Sequence, residues 1–359
     1  MSDSSTSKNG PTIEQVRAAL AKVQDPELHR DLISLNMIRD LRIDGGRVSF
    51  TLVLTTPACP LRDRIAADAR EAALAVPGVR DVDIKMDASV PGGARSGQVS
   101  VSARNIVAVA SGKGGVGKST VAVNLAVALA ARGSCVGLLD ADIYGPNIPR
   151  MMGIERLPEM QSERIVPATA YGVKVVSIGL MAEPGQPLVW RGPMLHSALR
   201  QLLGDVEWGA LDYLIVDLPP GTGDVQISLC QLARVAGGVI VTLPQQVSRD
   251  DARRGLEMFR TLQVPILGVV ENMSYWSAPG GSPVDLFGRG GGKALAEEAG
   301  VPFLGEIPID PAVRIGGDGG KPIVLSSPQS ASAVALLEIA GKIAARISVV
   351  ALEKPAAEN

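Results

Sequence analysis

The chain has 359 residues with a formal net charge of −2, and it contains 40 glycines but only 3% aromatic residues, a composition that favours an α/β protein. Because the charges nearly cancel, we expect binding to neither nucleic acid nor an anionic membrane. No apolar run reaches the ~18 residues of a membrane helix, and the N-terminus has no signal-peptide pattern. Three widely spaced cysteines argue against a disulfide framework. We therefore expect a cytoplasmic protein.

The first part of the chain predicts a small α+β domain over residues 11–87. Residues 12–15 (Thr-Ile-Glu-Gln) have the pattern of a capping box, which opens a helix. Two strands, a helix and another strand are then predicted at residues 37–43, 47–54, 61–75 and 79–86. Residues 88–103 are rich in Pro, Gly and Ser and are predicted to be a linker.

Predicted strands and helices alternate over residues 104–350, which indicates a doubly wound, mostly parallel sheet. A buried strand is predicted before, and a helix after, the stretch Ser111-Gly112-Lys113-Gly114-Gly115-Val116-Gly117-Lys118-Ser119-Thr120. This stretch has the pattern G-x-x-x-x-G-K-[ST], whose backbone N–H groups bind phosphates at a helix N-terminus. Lys118 is expected to reach the β- and γ-phosphates of ATP, and the Ser119 hydroxyl to bind Mg²⁺.

Other predicted strands end in polar side chains at the edge where open α/β sheets bind ligands. Asp140 and Asp142 follow one strand, and Asn272 follows another. Asp217 ends an apolar run in the form of a Walker B motif, so it is predicted to hold Mg²⁺ directly or through water. The alternative roles are a helix N-cap for one of the two aspartates Asp140 and Asp142, with the other merely solvated, and an Asx turn for Asn272.

A Gly- and Pro-rich loop at residues 218–224 follows the Walker B strand. We predict that it forms a second switch that senses the γ-phosphate. Gly221 or Gly223 would give a backbone N–H to that phosphate, and Asp224 is a further candidate in the same loop.

Lys113, directly after the first glycine, makes the phosphate loop resemble the deviant Walker A motif of the MinD, ParA and nitrogenase iron protein class. The resemblance implies an ATP-sandwich homodimer in which Lys113 acts on the partner's nucleotide. It also implies that Asp142 orients the attacking water, that Asp140 supports the metal shell and that Asn272 reads the adenine edge.

The small domain resembles the SufT-like domain of iron–sulfur assembly proteins through Asp25-Pro26-Glu27 and Thr55-Thr56-Pro57-Ala58-Cys59-Pro60. Cys59 is predicted at a strand-to-helix turn, where it is either a reactive or metal-binding thiol or a small half-buried side chain. With the strings DADIYGP, LPPGTGD and ENMSY, the whole chain resembles an Mrp/ApbC-type iron–sulfur cluster carrier. That resemblance implies a [4Fe–4S] cargo and, as partners, recipient apoproteins or scaffold proteins.

The chain departs from this family where a C-x-x-C is common, because Ala278 and Gly281 stand in the cysteine positions. Cys135 and Cys230 are expected to be small core residues. Cys59 is the remaining candidate ligand, and one cysteine per chain cannot supply four thiolates in a dimer. A MinD/ParA-like scaffold without metal cargo is therefore the alternative function. A metabolic synthetase of the adenylosuccinate or dethiobiotin kind is a weaker one, since the SufT-like domain argues against it.

Overall fold

The computed structural model describes residues 10–90, 99–143, 145–158, 164–180, 192–277 and 282–353. Their contacts divide the chain into two units, Met1–Val90 and Pro91–Asn359. Among these described residues, no helix combines the length and the apolar character that crossing a membrane requires.

The first unit contains two helices against a three-stranded sheet. Its elements are α1 (Ile13–Leu20), β1 (Ile38–Asp44), β2 (Arg47–Leu54), α2 (Arg62–Leu74) and β3 (Asp81–Ala88). The sheet order is β1-β2-β3, with β1 antiparallel and β3 parallel to β2. The predicted capping box is confirmed, since Gln15 N–H donates to the Thr12 hydroxyl at 3.2 Å and Thr12 N–H to the Gln15 side chain at 3.0 Å. The α-β-β-α-β order agrees with the sequence prediction.

The second unit is built on an eight-stranded sheet of order β11-β10-β9-β4-β8-β5-β7-β6. Its strands are β4 (Ala103–Ser111), β5 (Val136–Asp140), β6 (Ala168–Ala170), β7 (Val173–Ser177), β8 (Leu211–Asp217), β9 (Val235–Thr242), β10 (Ile266–Glu271) and β11 (Phe303–Glu306). All paired strands are parallel except β6, which runs antiparallel to β7. The predicted doubly wound, mostly parallel fold is confirmed.

Helices accompany this sheet along the chain. They are α3 (Lys118–Ala131), α4 (Ile148–Met151), α5 (Gly192–Gly204), α6 (Asp224–Leu232), α7 (Gln246–Thr261), α8 (Gly291–Ala299), α9 (Pro311–Asp318), α10 (Ile323–Ser326) and α11 (Ala331–Glu353). The central strand β4 and the helix α3 that follows it are almost completely buried. A nearly continuous apolar sequence in both elements is what a buried parallel layer requires.

Strand register brings the polar strand ends together. Asp140 at the end of β5 pairs with Asp217 at the end of β8, and Asp217 pairs with Val109 near the end of β4. The phosphate loop begins directly after β4, so the two carboxylates and the loop share one edge of the sheet.

The prediction that Cys135 is a core residue is wrong. Strand β5 begins one residue later, and Cys135 is exposed at the rim of the sheet, where its N–H donates to Asp212 Oδ2 at 2.9 Å. The chain reaches β5 from the turn after α3, so the residue before the strand is not covered by a helix. Cys230 on α6 packs against the core as expected, and its burial raises the pKa of the thiol to about 11.

Candidate functional site

Close packing explains two of the glycines in the phosphate loop. A Cβ at Gly112 would lie 2.5 Å from the backbone nitrogen of Ala252, and closer still to the Asp251 carbonyl group, on α7. Gly117 has a φ of +83° at the start of α3, and a Cβ there would overlap the side-chain nitrogen of Asn272. The loop is therefore held between α7, which leaves no room for a side chain at Gly112, and the segment after β10, next to the positive φ of Gly117 that favours glycine.

The predicted catalytic side chains meet at the start of α3. Lys118 Nζ lies 2.8 Å from Asp217 Oδ1, 3.3 Å from Ser119 Oγ and 3.6 Å from Asp142 Oδ2. The Ser119 hydroxyl donates to the second Asp217 oxygen at 2.6 Å. Lys118, Asp142 and Asp217 are all buried. One cation thus faces two carboxylates with little solvent between them, and electrostatic interactions are strong in such surroundings.

Both strand-end carboxylates have raised pKa values. Burial raises the pKa of Asp217 against the opposing effect of Lys118, which lies on one of its oxygens. Burial, and then the charge of Asp217, raise the pKa of Asp140 to about 7. Two buried carboxylates near a single lysine carry more negative charge than that lysine balances. The site therefore favours a further cation.

Asp140 fastens the described residues between β5 and α4, which include Asp142 and which we name the first switch. One of its oxygens accepts the N–H of Asp142 at 3.1 Å, and the other accepts the N–H of Ile148 at 3.3 Å and the Ser177 hydroxyl at 2.9 Å. It therefore ties Asp142 on one side to the start of α4 on the other. The role of Asp140 in a metal shell stays a prediction.

The site has features that fit a nucleotide with Mg²⁺. Asp142 Oδ1 is buried and has no hydrogen-bond partner among the described residues. Ser119 and Asp217 present oxygen atoms, the ligands that Mg²⁺ prefers. The glycine-lined turn at the N-terminus of α3 suits the phosphates. An unsatisfied buried acceptor is costly, and a water molecule or a metal-bound water would satisfy it.

The predicted second switch contacts the phosphate loop. Gly221, with a φ of +91°, donates its N–H to the Ser111 carbonyl at 2.8 Å, so this N–H faces the loop backbone rather than a phosphate. Gly223 is the N-cap of α6 and has an extended backbone. Sequence reasoning missed Gln226, a buried side chain that binds the carbonyls of this turn.

A cavity of about 540 Å³ lies beside the phosphate loop. Thr120 of α3, Asn272, and residues of α4 and α9 line it, together with residues 308–310. Asn272 Nδ2 donates to the Val116 carbonyl at 2.8 Å, which leaves Oδ1 as the acceptor of this amide. An acceptor suits the amino group of adenine. The cavity adjoins the phosphate loop, where a nucleotide base is expected.

A contact that supports the α4 and α9 wall of this cavity from behind was not predicted. A Cβ at Gly320 would lie 2.6 Å from Gly153 Cα, and the Tyr171 hydroxyl donates to the Gly320 carbonyl at 2.7 Å. These contacts hold the end of α9 against the end of α4. Residues far apart in the chain form this wall, and no local pattern indicates such a pairing.

The remaining predicted residues lie outside this cluster. Lys113 is half-buried, and its carbonyl accepts the Ser111 hydroxyl at 2.9 Å. Cys59 is half-buried in a turn where Thr56 Oγ accepts the Ala58 N–H at 3.1 Å, and it packs against the core of the first unit. Within the described part of the chain, no three or more His, Cys, Asp or Glu side chains form a metal-binding group. Ala278 and Gly281 are outside the described residues.

Both units match known families. Residues 102–344 match the family described as NUBPL iron-transfer P-loop NTPase, and residues 13–86 match that described as iron-sulfur cluster assembly protein. The iron-sulfur cluster carrier protein of Synechocystis sp. is 54% identical, over 95% of this chain and 99% of the relative. The protein of that name from Deinococcus radiodurans is 52% identical, over 92% of this chain and 94% of the relative.

Solved structures show the same fold. A nucleotide-binding protein of Archaeoglobus fulgidus in complex with ADP is 38% identical with a TM-score of 0.55, over 61% of this chain and 88% of that one. The cell division ATPase MinD of Pyrococcus furiosus is 24% identical with a TM-score of 0.51, over 67% of this chain and 98% of that one. The second likeness concerns the fold alone.

Proposed function

The chain belongs to the family of iron–sulfur cluster carriers that contain a P-loop NTPase, and on this premise we propose that it is an ATPase whose nucleotide state controls the binding and transfer of iron–sulfur clusters to apoproteins. The observation that carries the proposal is the buried cluster of Lys118, Ser119, Asp142 and Asp217 beside a nucleoside-sized cavity. We further propose residues 11–87 and 104–350 as the domains and 88–103 as the linker.

The proposed hydrolysis uses each side chain for one task. Lys118 exchanges its contact with Asp217 for the β- and γ-phosphates, and Ser119 and Asp217 hold Mg²⁺. When bound there, Mg²⁺ would neutralise charge on the phosphate oxygens. Asp142, whose buried Oδ1 has no partner within the described part of the chain, accepts a hydrogen bond from the attacking water and orients it. Lys113 from a second copy of the chain stabilises the charge that develops on the transferred phosphoryl group.

Base recognition is assigned to Asn272. Its amide nitrogen donates one N–H to the Val116 carbonyl, and the proposed contact with the base is made by its oxygen. An acceptor at this place favours the adenine amino group and disfavours the carbonyl oxygen that guanine has there. The same side chain also buttresses the phosphate loop, so base binding and loop position are coupled through one residue.

The first experiment is ATP hydrolysis by the wild type and by Lys113→Ala. We expect slow, Mg²⁺-dependent turnover in the wild type. Lys113→Ala should bind ATP with unchanged Kd and lose turnover by about 10²-fold or more, since a charge-stabilising donor contributes that much. Arg47→Ala, which removes exposed ion pairs with Asp81 and Asp83 in the first unit, tests whether losing any cation has the same effect. Unchanged turnover in Lys113→Ala would refute the role in trans.

Cluster binding is tested by anaerobic reconstitution with iron and sulfide, followed by iron counts and visible absorption. We propose Cys59 as one cluster ligand, so Cys59→Ala should lose the cluster. Cys135→Ala is the matched control, because Cys135 is an exposed thiol that is not proposed as a ligand. A cluster retained in Cys59→Ala would exclude Cys59 as an essential ligand.

A nucleotide-switched scaffold without metal cargo is the second candidate function. The residues that favour it are Ala278 and Gly281, which stand where carriers commonly have a cysteine pair. ATP hydrolysis together with failure of the wild type to bind any cluster, alone or with a recipient apoprotein present, would support this scaffold over the carrier.

A further inference from the structure

We propose that Gln226 is the positioning residue of the second switch and that it allows the site to distinguish ATP from ADP. The proposal rests on the nucleotide-binding function above and assigns a residue to the recognition of the γ-phosphate. Gln226 lies in the first turn of α6, is 1% exposed, and belongs to none of the sequence motifs that identify the site.

The carboxamide of Gln226 binds two carbonyls of the turn that precedes α6. Its Nε2 donates to the Pro219 carbonyl at 2.8 Å and to the Gly221 carbonyl at 3.0 Å. Both amide protons are used, so the turn is held at two points by one buried group. The turn also contacts the phosphate loop, because Gly221 N–H donates to the Ser111 carbonyl at 2.8 Å.

This clamp determines where a backbone donor points. In a trans peptide the C=O and the following N–H point in opposite directions. When Gln226 binds the Gly221 carbonyl, the N–H of Thr222 must face away from Gln226. Gln226 is buried beneath the turn and Thr222 is exposed, so this N–H faces the open side of the switch. A γ-phosphate that reaches the switch meets an oriented donor there.

An ordinary capping role does not explain the side chain. A glutamine three residues after the N-cap would normally accept the N–H of the N-cap residue through its oxygen. Here the N-cap is Gly223, and Gln226 Oε1 is buried with no hydrogen-bond partner among the described residues. The side chain leaves an acceptor unsatisfied while its nitrogen binds the turn. The residue therefore orders the switch rather than the helix end.

The test compares Gln226→Met, which keeps the length of the side chain but removes its donors, with Gln231→Met, an exposed glutamine on the same helix. Titrations of ADP and of a non-hydrolysable ATP analogue with Mg²⁺ give the two Kd values. We expect Gln226→Met to bind ADP with Kd within about twofold of wild type and to bind the analogue about tenfold more weakly. About tenfold is the change expected when the hydrogen bond from the Thr222 N–H to the γ-phosphate is lost. Its kcat should fall by at least that factor, and Gln231→Met should match the wild type.

Other results would overturn the inference. The inference is refuted if the ratio of the analogue Kd to the ADP Kd in Gln226→Met equals the wild-type ratio. Equal weakening of both ligands together with a lower Tm would be one such result, and it would show that Gln226 has only a structural role. If Gln226→Met does not fold, Gln226→Asn, which keeps the amide but shortens its reach, provides the same ratio. A wild type that binds nucleotide but hydrolyses no ATP would contradict the ATPase, while the ratio of Kd values would still decide the role of Gln226.

Discussion

Gly112→Ala tests whether the phosphate loop is held in place by α7. The added methyl would lie 2.5 Å from the backbone nitrogen of Ala252 and nearer still to Asp251, whereas ordinary contacts begin at 3.4 Å. The loop and the helix must therefore separate by at least about 0.9 Å. Because the opposing atoms are backbone and not the end of a flexible side chain, no rotamer change relieves the overlap.

Two consequences follow for Gly112→Ala, and they are measured separately. Overpacking of this kind costs about 1–3 kcal/mol in stability, so we expect Tm to fall by several degrees in thermal melts. A displacement of about 1 Å in a positioning element costs on the order of 10²-fold in function. We therefore expect ATP and ADP affinity, measured by calorimetry, to fall about 10²-fold.

Gly255→Ala is the matched control for this experiment. Gly255 is also on α7, but its added methyl would meet a side-chain carbon of Ile240, at 3.1 Å, which can adjust. We expect nucleotide affinity to be unchanged in this variant. If Gly112→Ala lowers Tm but binds nucleotide within about threefold of wild type, α7 moves instead of the loop and the reasoning is refuted.

Two further changes test the first switch and the cavity wall. Folding raises the pKa of Asp140 from 3.8 to about 7. Between pH 3.8 and pH 7 the folded state therefore binds more protons than the unfolded state, and the free energy of unfolding falls as pH rises, by about 4 kcal/mol at most. Asp140→Asn should not show this decrease when the free energy of unfolding of the nucleotide-free protein is measured in urea at pH 5 and pH 8. The same pH dependence in wild type and variant would contradict the raised pKa as its cause. Gly320→Ala places a methyl 2.6 Å from Gly153 Cα, so ATP and ADP affinity should fall several-fold in calorimetry. Gly300→Ala has a comparable positive φ and no atom within 4 Å, so its affinity should match the wild type, and an equal loss in both variants would exclude the wall contact as the cause.

Much of the fold follows from local pattern. Apolar strands alternate with helices, and the phosphate loop follows the first of these strands, so the sheet type and the edge that carries the site could both be predicted. Asp140, Asp142 and Asp217 were expected together because carboxyl ends of parallel strands share an edge. The structure brings all three within reach of Lys118, two by direct contact and Asp140 through its charge.

The parts that sequence reasoning missed depend on contacts between distant segments. Gly153 and Gly320 meet across the cavity wall, and nothing near either glycine indicates the other. The orientation of the Asn272 amide depends on the Val116 carbonyl, which accepts one of its N–H groups and lies far away in the chain. The prediction for Cys135 was wrong because an apolar strand pattern does not show which residue at the start of the strand is exposed to solvent.

The segment that follows β10 connects the nucleotide site to the place where relatives of this kind commonly carry their cysteines. Glu271 is buried and accepts the N–H of Gly292 at 2.5 Å and of Gly290 at 3.0 Å, and the Ser274 hydroxyl also donates to it. Both ends of the segment are thus fastened to one carboxylate, directly beside Asn272. A shift of Asn272 with the phosphate loop would act on this attachment. Glu271 thus links the described ends of this segment, residues 272–277 and 282–292, to the residue that contacts the phosphate loop.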